Sequence, residues 1–127
     1  MPDTFSILIV DDEPTVRTLL TEVLSPTFQC LSADSAGEAI RLIDSQFFNV
    51  ALVDMGLPGM TGLGLCQLMI KRSPKTVVIV VSGNSDDQSV AEAMKAGAAD
   101  YIKKPFDLSH LINTVQRVRD SQISGAA

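Results

Sequence analysis

The stretch Asn49 to Gly62, NVALVDMGLPGMTG, decides how this chain folds. Val50, Ala51, Leu52 and Val53 form an unbroken apolar run. Asp54 ends it, and Gly56, Pro58, Gly59 and Gly62 make up the loop that follows. A short, wholly apolar run between turn residues predicts a strand buried on both faces, as in the middle of a parallel sheet. Such a strand carries the carboxylate at its end to the rim where open α/β sheets bind ligands. Asp ahead of Gly and Pro is also ordinary turn chemistry, so Asp54 by itself reads equally well as a turn cap.

Upstream, Ile7 to Val10 is a second short apolar run, and it ends at Asp11, Asp12 and Glu13. Pro14 suits the first turn of a helix, where its missing N–H costs nothing. Val16, Leu19, Leu20, Val23 and Leu24 then share one helical face until Pro26. Phe28 to Ala33 is a weaker, more alternating strand candidate, as expected near a sheet edge. Ser35 and Glu38 have capping-box spacing, and Ala39, Ile40, Ile43 and Phe47 continue an apolar stripe behind them.

Downstream, Leu65, Cys66, Met69 and Ile70 predict a third helix ending near Lys71 and Arg72. Thr76 to Val81, TVVIVV, is the most strongly β-forming run, and Ser82-Gly83 closes it. Ser85 and Gln88 form a second capping box, opening a helix through Val90, Ala91 and Met94 to Gly97. Ala99 to Lys103 is the last strand, ended by Lys104-Pro105. Asp107 caps a helix that buries Leu108, Leu111, Ile112, Val115 and Val118.

β and α therefore alternate five times, which requires a parallel sheet, helices on both faces and right-handed crossovers. The expected fold is α/β, a flavodoxin-like doubly wound (βα)5 with a five-stranded parallel sheet in the order 2-1-3-4-5. Its ligand site lies between the first and third strands. With 127 residues the chain suits one domain, placed at 1-120, with 121-127 as a tail or the start of a linker.

A net charge of −5 argues against direct nucleic-acid binding by this chain. The N-terminus has no basic region followed by an apolar one, and no apolar run approaches the roughly 20 residues that cross a bilayer. The expectation is a soluble cytoplasmic protein without membrane contact. Cys30 and Cys66 lack CxxC spacing and read as free, packed thiols in a reducing compartment. His110 lies off the apolar stripe of its helix and reads as solvated.

Four of the five strands end in residues useful to phosphate chemistry: Asp11 and Asp12, Asp54, Ser82, and Lys104. A parallel sheet brings all of these to one rim. Clustered carboxylates repel unless protonated or joined by a cation, and hard oxygen ligands in a wet site suit Mg²⁺. Lys104 offers a compact positive charge for a phosphoryl oxygen, and Ser82 a hydroxyl donor. An Asp carboxylate can itself accept a phosphoryl group, and such transfer needs mainly positioning and charge neutralisation.

ILIVDDE, VDMGLPGMTG, VVSG and YIKKPF, in this order and spacing, resemble the receiver domain of bacterial two-component response regulators. The likeness covers about Ile7 to Val118. It implies that Asp54 is the phospho-acceptor, that Asp12 ligates Mg²⁺ directly, and that Asp11 acts on the metal mainly through water. The Gly56 backbone carbonyl would complete the protein ligands. Ser82 would bond the phosphoryl group and Lys104 would be its cationic partner. Lys104 is preferred to Lys103 because it directly precedes Pro105. Tyr101 takes the place of the family's switch aromatic, and the Lys-Pro peptide bond is typically cis in the family.

The implied partners are a sensor histidine kinase or phosphotransfer protein and an unidentified output domain or effector. The responding face would be the fourth helix, fifth strand and fifth helix, also the place for phosphorylation-dependent dimerisation. Lys95, Lys103 and Arg119 are its candidate contact residues. Gly56 and Asn84 occupy the positions that tune acyl-phosphate hydrolysis in the family. One rival reading is a Mg²⁺-dependent phosphohydrolase using Asp54 as nucleophile, but Gly56 stands where haloacid dehalogenase-type phosphatases carry a second Asp. The other is a pseudo-receiver serving only as an interaction module, against which the complete set of motifs argues.

Overall fold

The structure, a computed structural model, describes residues 5–57, 60–83 and 87–125. Strands β1 (Ser6–Val10), β2 (Gln29–Ala33), β3 (Val50–Asp54), β4 (Val77–Ser82) and β5 (Asp100–Lys103) alternate with five helices. These are α1 (Pro14–Leu24), α2 (Ala36–Ser45), α3 (Gly62–Arg72), α4 (Asp87–Ala96) and α5 (Leu108–Gly125). The strands form one sheet in the order β2-β1-β3-β4-β5, and every pairing is parallel. This is the flavodoxin-like doubly wound fold that the alternation predicts.

The apolar run at Val50 serves two cores. Side chains alternate across a strand with period two, so Ala51 and Val53 join Leu8, Val10, Val78 and Val80 on the face covered by α2, α3 and α4. Val50 and Leu52 join Ile7, Ile9, Ile79 and Val81 on the face packed by α1 and α5. Burying a Leu, Ile or Val fully contributes about 1.5–3 kcal/mol, and β3 collects that gain on both sides. β2, at the edge, leaves Leu31 exposed.

Local chemistry sets the helix ends. Ser35 Oγ accepts from the Glu38 N–H at 3.2 Å, while the Glu38 carboxylate turns to Arg41 in an ion pair of 2.6 Å. Asp107 Oδ1 accepts from the Ser109 N–H at 2.8 Å. The predicted Ser85 cap lies outside the described residues. α3 starts earlier than a loop reading of Gly62 suggests, because Thr61 Oγ1 caps it through the Gly64 N–H at 3.0 Å. Gly97, at φ +123, turns the chain out of α4 in the left-handed region that glycine tolerates.

Some expectations need correction. Leu19 is 39 % exposed although it shares a helical stripe with Leu20 and Leu24, because it lies on the flank of α1 that carries Thr15, Thr18 and Glu22. Phe47 is 51 % exposed and Phe48 takes the core position instead, at 1 %. α2 stops at Ser45 and Gln46 is extended, so the helical phase that pointed Phe47 inward is lost. α5 continues through Ser121 to Gly125, where the sequence suggests a tail. No proline or earlier glycine interrupts it, and Gln122 Oε1 accepts a bond from Asn49 Nδ2 at 3.2 Å. Arg119 stacks 5.4 Å from the Phe28 ring centroid. Phe28 belongs to the α1 side of the core, which removes Arg119 from the face formed by α4, β5 and α5.

The tightest backbone approach involves Gly62, where a Cβ would sit 2.3 Å from Met55 Cα and 2.8 Å from the Asp54 carbonyl oxygen. Those are backbone atoms that no rotamer change can move aside. Gly62→Ala is therefore expected to destabilise the domain by about 1–3 kcal/mol or more, read as a lower urea midpoint. Cys66 is fully buried among core side chains, and burial pushes its thiol up to about 12. Native protein at pH 8 is expected to leave Cys66 unalkylated by iodoacetamide until urea unfolds it, as mass spectrometry of digests would show.

Candidate functional site

Strand register brings the chemical groups together. Val10 lies opposite Val53 and Asp54 opposite Val81, so Asp11 and Asp12 leave β1 beside the end of β3. Ser82 is paired with Lys103, and the Lys104 N–H donates to the Ser82 carbonyl at 2.7 Å, which carries Lys104 back over the same rim. The Lys104-Pro105 peptide bond is cis. Asp12, Asp54, Gly56, Ser82 and Lys104 line one hollow of about 540 Å³, with Met55, Leu63 and Val90 forming an apolar flank.

Asp11 and Asp54 are buried, at 2 % and 6 % exposure, and Asp12 is exposed. One carboxylate oxygen from each can be chosen so that all three lie within 4.8 Å of one another. Lys104 Nζ donates to Asp11 Oδ2 at 2.8 Å, and it stands 3.6 Å from Glu13 Oε1 and 3.8 Å from Asp54 Oδ1. The second Asp11 oxygen, Oδ1, accepts from the Glu13 N–H at 2.9 Å. Asp54 Oδ1 accepts from the Gly56 N–H at 3.1 Å. The two readings of Asp54 are thus compatible: it ties the turn after β3 and faces the hollow.

Burial pushes the Asp54 carboxyl above the usual carboxylate range. The Gly56 N–H works against that, Asp11 adds to it, Lys104 opposes it and Asp12 adds again. Burial also disfavours a charged Lys104, but the hydrogen bond and charge of Asp11, with Asp54 and Glu13, outweigh it and hold the amine above its ordinary value. The rim is short of positive charge. Three carboxylates this close, with one shared ammonium, form an oxygen donor set that fits a hard divalent cation such as Mg²⁺.

Of the residues expected from sequence, Asp11, Asp54 and Lys104 meet directly, and Asp12, Gly56 and Ser82 line the same hollow. Tyr101 packs half-buried against the core on the α2–α4 side. Two contributors escape sequence reasoning. Glu13 reaches Lys104, and Arg17 Nη1 donates to the Asp11 carbonyl at 2.7 Å. Their spacing was the available signal, since Glu13 is the residue just before α1 and Arg17, in its first turn, stands six residues beyond Asp11, close enough to reach back to it.

Fold and site together define a doubly wound α/β domain whose rim gathers three clustered aspartates. The response regulator receiver domain model matches residues 7–116, and the chain belongs to that family. It is 36 % identical over 118 residues to the hydrogenase transcriptional regulatory protein HoxA of Cupriavidus necator, covering 92 % of this chain and 24 % of HoxA. It is 37 % identical over 123 residues to the response regulator protein PilR of Pseudomonas aeruginosa, covering 94 % of this chain and 28 % of PilR. The chain thus spans about a quarter of the length of these curated relatives. A CheY-like receiver domain protein from Methanospirillum hungatei superposes with a TM-score of 0.93 at 31 % identity, covering 97 % of this chain and 99 % of that one. Receiver domains act in phosphorylation-dependent signalling, partner histidine kinases or phosphotransfer proteins, and generally bind Mg²⁺ at an acidic pocket. Among the described residues no helix is long and apolar enough to cross a membrane.

The raised Asp54 pKa fixes the sign of a stability effect. Protonated Asp54 suits the fold better than ionised Asp54. The corresponding stability is present below the unfolded carboxylate pKa and is lost as pH rises through the raised folded value. At neutral pH, Asp54→Asn is therefore expected to raise the melting temperature of the metal-free protein. The same substitution should weaken the stabilisation produced by adding Mg²⁺. Differential scanning fluorimetry with and without the cation reads both effects.

Proposed function

We propose that Asp54 is the phospho-acceptor of a signalling switch, taking a phosphoryl group from a phosphohistidine on a sensor histidine kinase or phosphotransfer protein. The observation that carries this is the division of labour between the buried carboxylates. Asp11 has both oxygens engaged, by the Glu13 N–H and by Lys104, whereas Asp54 faces the hollow with Lys104 3.8 Å away. In the transfer, an Asp54 oxygen forms a bond to phosphorus as the P–N bond to the donor imidazole breaks, and the imidazole keeps the electron pair. Lys104, already between Asp11 and Asp54, swings to the incoming phosphoryl oxygens. Ser82 bonds another of them.

Bound Mg²⁺ supplies positive charge that neutralises the phosphoryl oxygens. Asp12, Asp54 and the Gly56 carbonyl would hold it, and Asp11, with its oxygens occupied, would act on it through water. The domain also assists hydrolysis of its own acyl phosphate, for which the small Gly56 leaves water an approach. It is otherwise a regulator and not an enzyme acting on a separate substrate.

Phosphorylation adds negative charge and acceptor oxygens at the rim. Drawing Ser82 toward them frees space into which Tyr101 turns, shifting an existing equilibrium of the face formed by α4, β5 and α5. Exposed Lys95 and Lys103 and the 41 % exposed Met94 suit contacts there, whether with an output domain, an effector or a second phosphorylated copy. The description of HoxA as a transcriptional regulatory protein suggests transcriptional control within a longer protein as the output.

Incubation with acetyl phosphate and Mg²⁺ is expected to add one phosphate-sized mass to the intact chain. Chelation of Mg²⁺ or Asp54→Ala should abolish the gain, and Lys104→Met should reduce it at least tenfold. An undiminished gain in Asp54→Ala would place the acceptor elsewhere.

A further inference from the structure

Asp12 is the exposed member of the acidic cluster. Burial does not fix its carboxylate as it fixes those of Asp11 and Asp54, so its direction is inherited from the backbone. The peptide plane that leads into Asp12 begins at the Asp11 carbonyl, because a peptide unit is rigid from one Cα to the next. That carbonyl receives the Arg17 guanidinium at 2.7 Å. On the near side of the same residue, the Asp11 N–H donates to the Ala33 carbonyl at 3.1 Å. Arg17 itself stands on the first turn of α1, its N–H bonded to the Glu13 carbonyl at 3.1 Å. The strand, the acidic turn and the helix are thereby tied together through the two peptides that flank Asp11.

We infer that Arg17 is a positioning residue that aims Asp12 at the divalent cation, a role that rests on the metal-site reading above. Charge and geometry make opposite demands here, which gives the inference a sign. A guanidinium beside the site repels a cation, so removing it tightens Mg²⁺ binding if charge is all that matters. If Arg17 holds the peptide plane, its removal loosens Asp12 and weakens binding. Groups that orient metal ligands commonly change affinity by about 10–100-fold when removed.

The test is calorimetric titration of the whole chain with Mg²⁺ at fixed ionic strength, with thermal unfolding of each metal-free variant to establish that it folds. Arg17→Gln is expected to weaken Mg²⁺ binding about tenfold, with Arg17→Lys, which keeps the charge and loses the planar fork, in between. In an Asp12→Asn background, Arg17→Gln should cost nothing further. Unchanged or tighter binding in Arg17→Gln, or the same loss with and without Asp12, would overturn the inference. If Arg17→Gln does not fold, Arg17→Lys decides, and wild-type affinity in it overturns the inference. Absence of Mg²⁺ binding by the wild type would instead overturn the metal-site reading itself.

Discussion

Like charges held at the end of a buried strand constrain everything around them. Asp11 and Asp54 lie almost out of solvent, with Asp12 beside them, and this costs free energy unless positive charge and N–H groups are supplied. The fold supplies them from distant parts of the chain. Lys104 arrives from the far end of β5, and its bond to Asp11 spans 93 residues of sequence. The Glu13 and Gly56 N–H groups come from the turns that the acids themselves shape. A parallel sheet suits this because all its carboxyl ends open on one edge, and a core on each face holds that edge rigid.

The balance is deliberately incomplete in electrostatic terms. One ammonium serves Asp11, Asp54 and Glu13, and the Asp54 carboxyl is held above its ordinary range by burial. A site that is fully neutralised without its ligands gains little from binding them. A site left acidic and tightly supported gains a great deal from a divalent cation, and can then accommodate an anion that bare carboxylates would repel. That is the electrostatic logic of a receiver domain, and it follows from side chains whose distances are set by strand register.

Much of this was legible because several signals agreed. The apolar run before Asp54 could fit only where both faces of a strand are covered, and the ends of β1, β3, β4 and β5 announced the rim by residue type. Pro14 and Asp107 marked helix starts through constraints that act within a few residues. The failures occurred where three-dimensional context ruled. Phe47 fitted a helical stripe, but the chain left helical geometry at Gln46, a residue that does not advertise a stop. Leu19 fitted its stripe equally well, yet sat on the flank beside Thr15, Thr18 and Glu22. The Thr61 cap was hidden behind a glycine that looked like loop. Arg119 could not be assigned to a face until its guanidinium was seen over Phe28. Tertiary packing decided Leu19 and Arg119, and local helix ends decided Phe47 and Thr61; periodicity carries no information about either.

Between α3 and the end of β3 there is no side chain at Gly62, only backbone against backbone. Such a seam has no rotamers with which to absorb displacement. Motion of the peptide after Asp54 must either be resisted by the first turn of α3 or carried along with it, as a rigid coupling transmits thrust that a cushioned one would dissipate. The first turn of α3 thereby acts as an anvil behind the peptide that follows Asp54.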